Sequence, residues 1–160
     1  MEFATPIQLR PMGTEQTDSF EPAWTLNYSE GGFCYSAKRL PSLDTEVCIV
    51  MSDYAPERSG PVSFRSYLTR ICWLAPPDDS TREATMAGAR IIARSHEVLG
   101  THAEKPFHIC DMCNAMMSVC RITSSGCDTQ LCEYCSHHFD KLPQGMTRKC
   151  IERFLGGNVI

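Results

Sequence analysis

The chain reads as an α+β fold with an N-terminal β-hairpin and small sheet, a central helix and a C-terminal cysteine-rich module. Three observations in its 160 residues point there. Aromatic residues alternate on both sides of Gly31-Gly32, and apolar residues recur at helical spacing between Ala84 and Leu99. Two C-x2-C pairs, Cys110-Asp111-Met112-Cys113 and Cys132-Glu133-Tyr134-Cys135, stand eighteen residues apart.

Residues 1–22 are polar and punctuated by Pro and Gly, which predicts an extended arm. Residues 23–79 form a β-rich region. Within it Trp24, Leu26 and Tyr28 precede Ser29-Glu30-Gly31-Gly32, and Phe33 and Tyr35 follow, the period-two signature of a hairpin. Val47 to Met51 is a short buried strand. Between Pro61 and Leu74, the residues Phe64, Tyr67, Leu68, Ile71 and Leu74 recur at helical spacing and Pro61 suits a first helical turn, with a strand as the alternative. Pro76-Pro77-Asp78-Asp79 marks a boundary.

Residues 80–106 are predicted to form a connecting helix. Ser80 and Glu83 make a capping box, Ala84, Ala87, Ile91, Ser95, Val98 and Leu99 share a face, and Gly100 is a stop. Residues 107–160 form the cysteine-rich module. It closes with a helix from Met146 to Leu155 that places Met146, Cys150, Ile151, Phe154 and Leu155 on one side.

The two C-x2-C pairs carry the clearest chemistry. Each pair can fold into a tight turn that aims two thiolates at one ion, and four thiolates complete a tetrahedral zinc shell. Cys110, Cys113, Cys132 and Cys135 are therefore the expected Zn2+ ligands. A closed shell leaves no position for water or substrate, so the expected role is structural. Cys120, Cys127, His137, His138 and Cys150 are candidates for a second metal site, with burial of free thiols as the alternative.

Bulk properties narrow the function classes. A hydrophobic fraction of 42% with 21% charged residues is an ordinary globular balance. No apolar run approaches a membrane span, and the N-terminus lacks the pattern of a secretion signal. Ten cysteines without such a signal point to a reducing compartment, cytoplasmic or nuclear. Residues 1–79 hold six Lys/Arg against eleven Asp/Glu, and the remainder nine against eight. Proteins that bind nucleic acid through phosphates normally carry a basic surplus, so this balance disfavours nucleic acid as the principal partner. A protein partner is expected instead, either another protein or a second copy of the chain.

Several resemblances sharpen these expectations. The spacing of the cysteine pairs, with Leu131 before the second pair and Ser136-His137-His138-Phe139 after it, resembles a treble clef. It is similar to GATA-type fingers and to the zinc modules of DksA-like transcription factors. That resemblance implies a knuckle at the first pair, a hairpin in the gap and a helix at the second pair, hence a treble-clef-like zinc module. The gap holds only Arg121 and Asp128 as charged residues, unlike fingers that read DNA.

Cys72-Trp73-Leu74 resembles the nucleophile segment of papain-like proteases, which would imply a catalytic Cys72. Pro76 and Pro77 follow too closely for that cysteine to head a helix. Leu40-Pro41-Ser42-Leu43 resembles the short core of an F-box. Arg10-Pro11 followed by Thr14-Glu15-Gln16-Thr17 resembles the start of the P1-type silencing suppressors of sobemoviruses, small zinc proteins of RNA viruses. That resemblance implies a viral accessory protein that suppresses host RNA silencing. The combined expectation is a non-enzymatic zinc-binding regulatory or interaction protein. A zinc-dependent nucleic-acid-binding regulator and a cysteine protease are the alternatives.

Overall fold

A computed structural model describes residues 4–12, 20–55, 64–76, 84–99, 107–118, 121–122 and 129–155. Six strands make the body: β1 (Thr5–Pro11), β2 (Glu21–Ser29), β3 (Gly32–Ala37), β4 (Glu46–Met51), β5 (Ser66–Ala75) and β6 (Thr85–Ser95). All neighbouring pairs are antiparallel, in the cyclic order β1-β2-β3-β6-β5-β4 and back to β1. The ring is closed, so these strands leave no long unpaired edge.

The expected α+β arrangement, with a central helix and a treble-clef-like module as its second half, is thus replaced by a closed β-barrel carrying short helices. Two boundaries change with it. Residues 5–11, expected as an arm, form β1 and pair with both β2 and β4. Residues 85–95, expected as a helix, form β6. The capping residues Ser80 and Glu83 and the stop Gly100 lie outside the described residues.

Packing explains why β6 is a strand. Ala87 and Ala89 are buried inside the barrel beside Tyr35 and Phe33, their cross-strand neighbours. Gly88 lies between them on the outer face, where the Trp73 indole occupies the space a Cβ would need. Small residues that read as helix formers are here making room for aromatic neighbours. A full ladder on each side of β6 then outweighs a modest intrinsic preference.

The interior is filled by Ile7, Leu9, Tyr35, Val47, Ile49 and Ile71, with Phe33, Ala23, Ala37, Ala87 and Ala89 around them. In so narrow a barrel, bulky and small side chains must alternate to fill the lumen. Register shifts at Thr25/Asn27, Leu68/Thr69 and Ile71/Trp73 supply the local twist that closure requires. The first shift also rearranges the hairpin. Phe33 and Tyr35 face inward as their alternation suggests, but β2 contributes Ala23 and Thr25, leaving Trp24 and Tyr28 half exposed.

A second apolar cluster covers the outside of β4. Cys48, Val50 and Leu99 are buried there, with Met12, Phe20, Leu68, Val98 and Met116 against them. It is roofed by the segment after β6 and by the C-terminal module. That module contains β7 (His108–Ile109), β8 (Met116–Met117), β9 (Arg121–Ile122), β10 (Gln130–Leu131), α1 (Glu133–Asp140) and α2 (Met146–Leu155). β8 joins the end of β6 in parallel at Ser95 and Met116, and the Ser95 hydroxyl donates to the Met116 carbonyl at 2.7 Å.

The β3–β6 seam yields a first prediction. A Cβ on Gly32 would stand 2.5 Å from the Ala89 carbonyl oxygen, whereas one on Gly31 meets nothing within 4 Å. Gly32→Ala should therefore destabilise the barrel by about 1–3 kcal/mol, and Gly31→Ala by no more than about 0.5. Urea denaturation of the two variants checks this; equal midpoints would mean the seam is not closed as described.

Candidate metal centre

Cys110 and Cys113 sit on a knuckle between β7 and β8. The Cys110 amide donates to the Ala115 carbonyl at 2.9 Å, and the Asn114 amide donates to the Cys110 carbonyl at 2.8 Å. Asn114 closes the turn at φ 57, a left-handed conformation that asparagine tolerates well. Asp111 ties the knuckle to β10: its amide donates to the Gln130 carbonyl and its Oδ2 accepts from the Gln130 amide at 2.6 Å. The antiparallel pair of β9 and β10 leads directly into the second cysteine pair.

Cys132 is the N-cap of α1, with extended backbone, and its sulfur accepts from the Cys135 amide at 3.4 Å. The Cys132 amide in turn donates to the Cys110 sulfur at 3.3 Å. Backbone N–H groups aimed at sulfur stabilise the thiolate form, as an N-cap carboxylate would be stabilised. The sequence thus orients two ligands by a tight turn and two by a helix start.

The four sulfurs lie within 4.8 Å of one another, and Cys113 and Cys132 are 3.8 Å apart. A tetrahedron with metal–sulfur bonds of about 2.3 Å has edges of about 3.8 Å. Cys110, Cys132 and Cys135 are buried and Cys113 is half-buried. The set can hold a metal ion.

Proton sharing supports the same fit. Its hydrogen bond with Cys113 draws the Cys110 thiol down to about 6, and the bond with Cys110 draws Cys132 below the ordinary thiol range. Cys113 and Cys135 are pushed up, each mainly by its bond to Cys110. A divalent cation would supply the positive charge that lets all four ionise.

Beyond the ligands the site includes residues that spacing could not reveal. His96, buried just past β6, has Nε2 3.8 Å from the Cys113 sulfur and Nδ1 3.2 Å from the Tyr54 hydroxyl. Its ring lies between Phe64, at 5.0 Å, and Tyr134, at 4.6 Å between centroids. Tyr134 was visible inside the second C-x2-C pair. His96 and Tyr54 reach the site only through folding of the barrel.

The other predicted site residues that the structure describes are not gathered. His137 and His138 are exposed on α1, and Cys150 is exposed on α2. Cys120 and Cys127 lie outside the described residues. Among the described residues, the four-cysteine group is the one cluster of at least three metal-ligating side chains.

Cys72 is exposed beside a register shift in β5, and its thiol donates to the Arg70 carbonyl at 3.4 Å. It lines an open groove of about 330 Å³ on the outer wall with Tyr28, Cys34, Trp73, Gly88 and Arg90, and no described histidine lines that groove. No described helix is long and apolar enough to cross a membrane. Compared with protein-family profiles, curated proteins and solved structures, the chain has no match.

Proposed function

We propose that this chain is a non-enzymatic interaction protein, in which one structural zinc ion fastens a small module to a β-barrel. The observation that carries this reading is the four-sulfur cluster, whose spacing fits a closed zinc shell. Exposed aromatics on the barrel supply the binding surface: Trp24 and Tyr28 are each 52% exposed and Trp73 is 44% exposed. Aromatic anchors on a rigid scaffold suit recognition of a protein. The sharpest version is suppression of host RNA silencing by a viral accessory protein. It is supported by the resemblance at Arg10-Pro11 and Thr14 to Thr17, the latter outside the described residues.

The test pairs a silencing-suppression assay with RNA titration at about 50 and 200 mM salt, the range over which phosphate contacts weaken steeply. Suppression without measurable RNA binding, abolished in Trp24→Ser with an unchanged melting temperature, is the expected result. Tight RNA binding that collapses across that salt range would favour the nucleic-acid reading. Thiol-dependent self-cleavage lost in Cys72→Ser would favour a protease.

Zinc binding should also depend on pH in a defined direction. Protons compete with the cation for all four sulfurs, so acidification must release zinc and destabilise the module, while neutral or mildly alkaline pH retains it. A chromogenic chelator followed across a pH series from about 7 to 4 reads this release. Zinc retained unchanged throughout would contradict thiolate ligation.

A further inference from the structure

We propose that His96 is a positioning residue for the metal centre, holding the Cys113 sulfur in place from the barrel side. This rests on the zinc-binding reading above. The geometry is specific. One ring nitrogen faces the Cys113 sulfur at 3.8 Å and the other faces the Tyr54 hydroxyl at 3.2 Å. A metal-bound thiolate offers only lone pairs, so the nitrogen facing it carries the hydrogen and Nε2–H donates to sulfur. Nδ1 is then an acceptor, and the Tyr54 hydroxyl donates to it.

The resulting chain runs from Tyr54 through His96 to Cys113. It starts just past β4, passes through the residue that follows β6, and ends on a ligand of the first pair. The His96 ring is also in tilted contact with Phe64 and with Tyr134 of α1.

This arrangement answers a weakness of the site. Cys113 is the only half-buried cysteine of the four, and His96 brings it a side-chain donor. A hydrogen bond from His96 withdraws electron density from the most accessible thiolate and lowers its nucleophilicity. It also makes the barrel part of the metal site, because Tyr54 and His96 follow β4 and β6.

The test uses the full chain loaded with Co2+, whose thiolate-to-metal charge-transfer band reports electron density on sulfur. Three variants are compared with the parent: His96→Leu, which removes the donor; His96→Gln, whose amide can replace Nε2–H; and Tyr54→Phe, which keeps the ring but frees Nδ1. In His96→Leu the band should move to lower energy, metal affinity should fall about 10- to 100-fold, and iodoacetamide should alkylate Cys113 first and faster. In that reaction sulfur displaces iodide, forming a thioether that no longer serves as an anionic ligand.

His96→Gln should return the band toward the parent position, and Tyr54→Phe should lie between. A lost fold in His96→Leu leaves the comparison of parent, His96→Gln and Tyr54→Phe decisive. An unshifted band and unchanged alkylation rate in Tyr54→Phe and in any folded His96 variant would overturn the proposal. A parent chain that binds no Co2+ would instead overturn the metal reading on which it rests.

Discussion

Replacing Cys135 with serine should abolish metal binding and unfold the C-terminal module while most of the barrel ladder survives. Cys135 is fully buried in the first turn of α1, and its sulfur belongs to the four-sulfur cluster. The module contributes only short strands and two short helices, and α2 has no fully buried residue. Such elements do not hold together by packing alone. With zinc as the ion, its binding free energy would be folding free energy, on the order of 10 kcal/mol or more.

The barrel would not be untouched. Cys110, Ala115, Met117, Leu131, Cys132, Cys135 and Phe139 are continuous with the barrel core, and Met116 packs on the outer cluster around Cys48 and Val50. Loss of the module should therefore expose apolar surface on the barrel and promote association. Amide exchange resolved by segment provides the check. Protection lost across 107–155 but retained in β1 to β6 is expected; uniform loss would mean that barrel and module fold as one unit.

The second large effect is expected at Tyr35, the largest fully buried side chain of the barrel. Tyr35→Ala should cost about 3–5 kcal/mol, a large fraction of the stability of a domain this size. Tyr35→Phe should behave in the opposite way. The Tyr35 hydroxyl and the hydroxyl of its cross-strand neighbour Thr25 are both buried with no hydrogen-bond partner among the described residues. Burial also pushes the Tyr35 hydroxyl far above its ordinary range. Removing it should leave stability unchanged or raise it by about 1 kcal/mol. Chemical denaturation of both variants measures the contrast; a strongly destabilised Tyr35→Phe would reveal a partner for that hydroxyl.

What was legible in the sequence was local. The hairpin around Gly31-Gly32, the strand at Val47 to Met51, and the helix from Met146 to Leu155 each depend on neighbours within a few residues. The two cysteine pairs were equally legible, because a knuckle and a helix start are short-range geometries. Even so, the C-terminal helix divides its predicted apolar face: Ile151 and Leu155 pack inward, while Met146 and Phe154 are 78% and 68% exposed.

Barrel closure was not legible, because it depends on β1 meeting β4 and β3 meeting β6. In β5, Tyr67, Thr69 and Ile71 face inward, but two register shifts disturb the alternation and give Phe64, Tyr67, Leu68, Ile71 and Leu74 a helical look. In β6, Ala87, Gly88 and Ala89 are small because Tyr35, Trp73 and Phe33 lie against them, which is information held by other strands. His96 was hidden for the same reason. No spacing rule connects it to a cysteine seventeen residues away.

Zinc content per folded chain tests the central claim most directly. Elemental analysis of protein purified without chelator, combined with counting of thiols that react before and after zinc release, measures occupancy and ligands together. One zinc per chain, with four thiols that become reactive only on its removal and map to Cys110, Cys113, Cys132 and Cys135, is the expected result. A metal-free protein that unfolds cooperatively and keeps the module intact would contradict it.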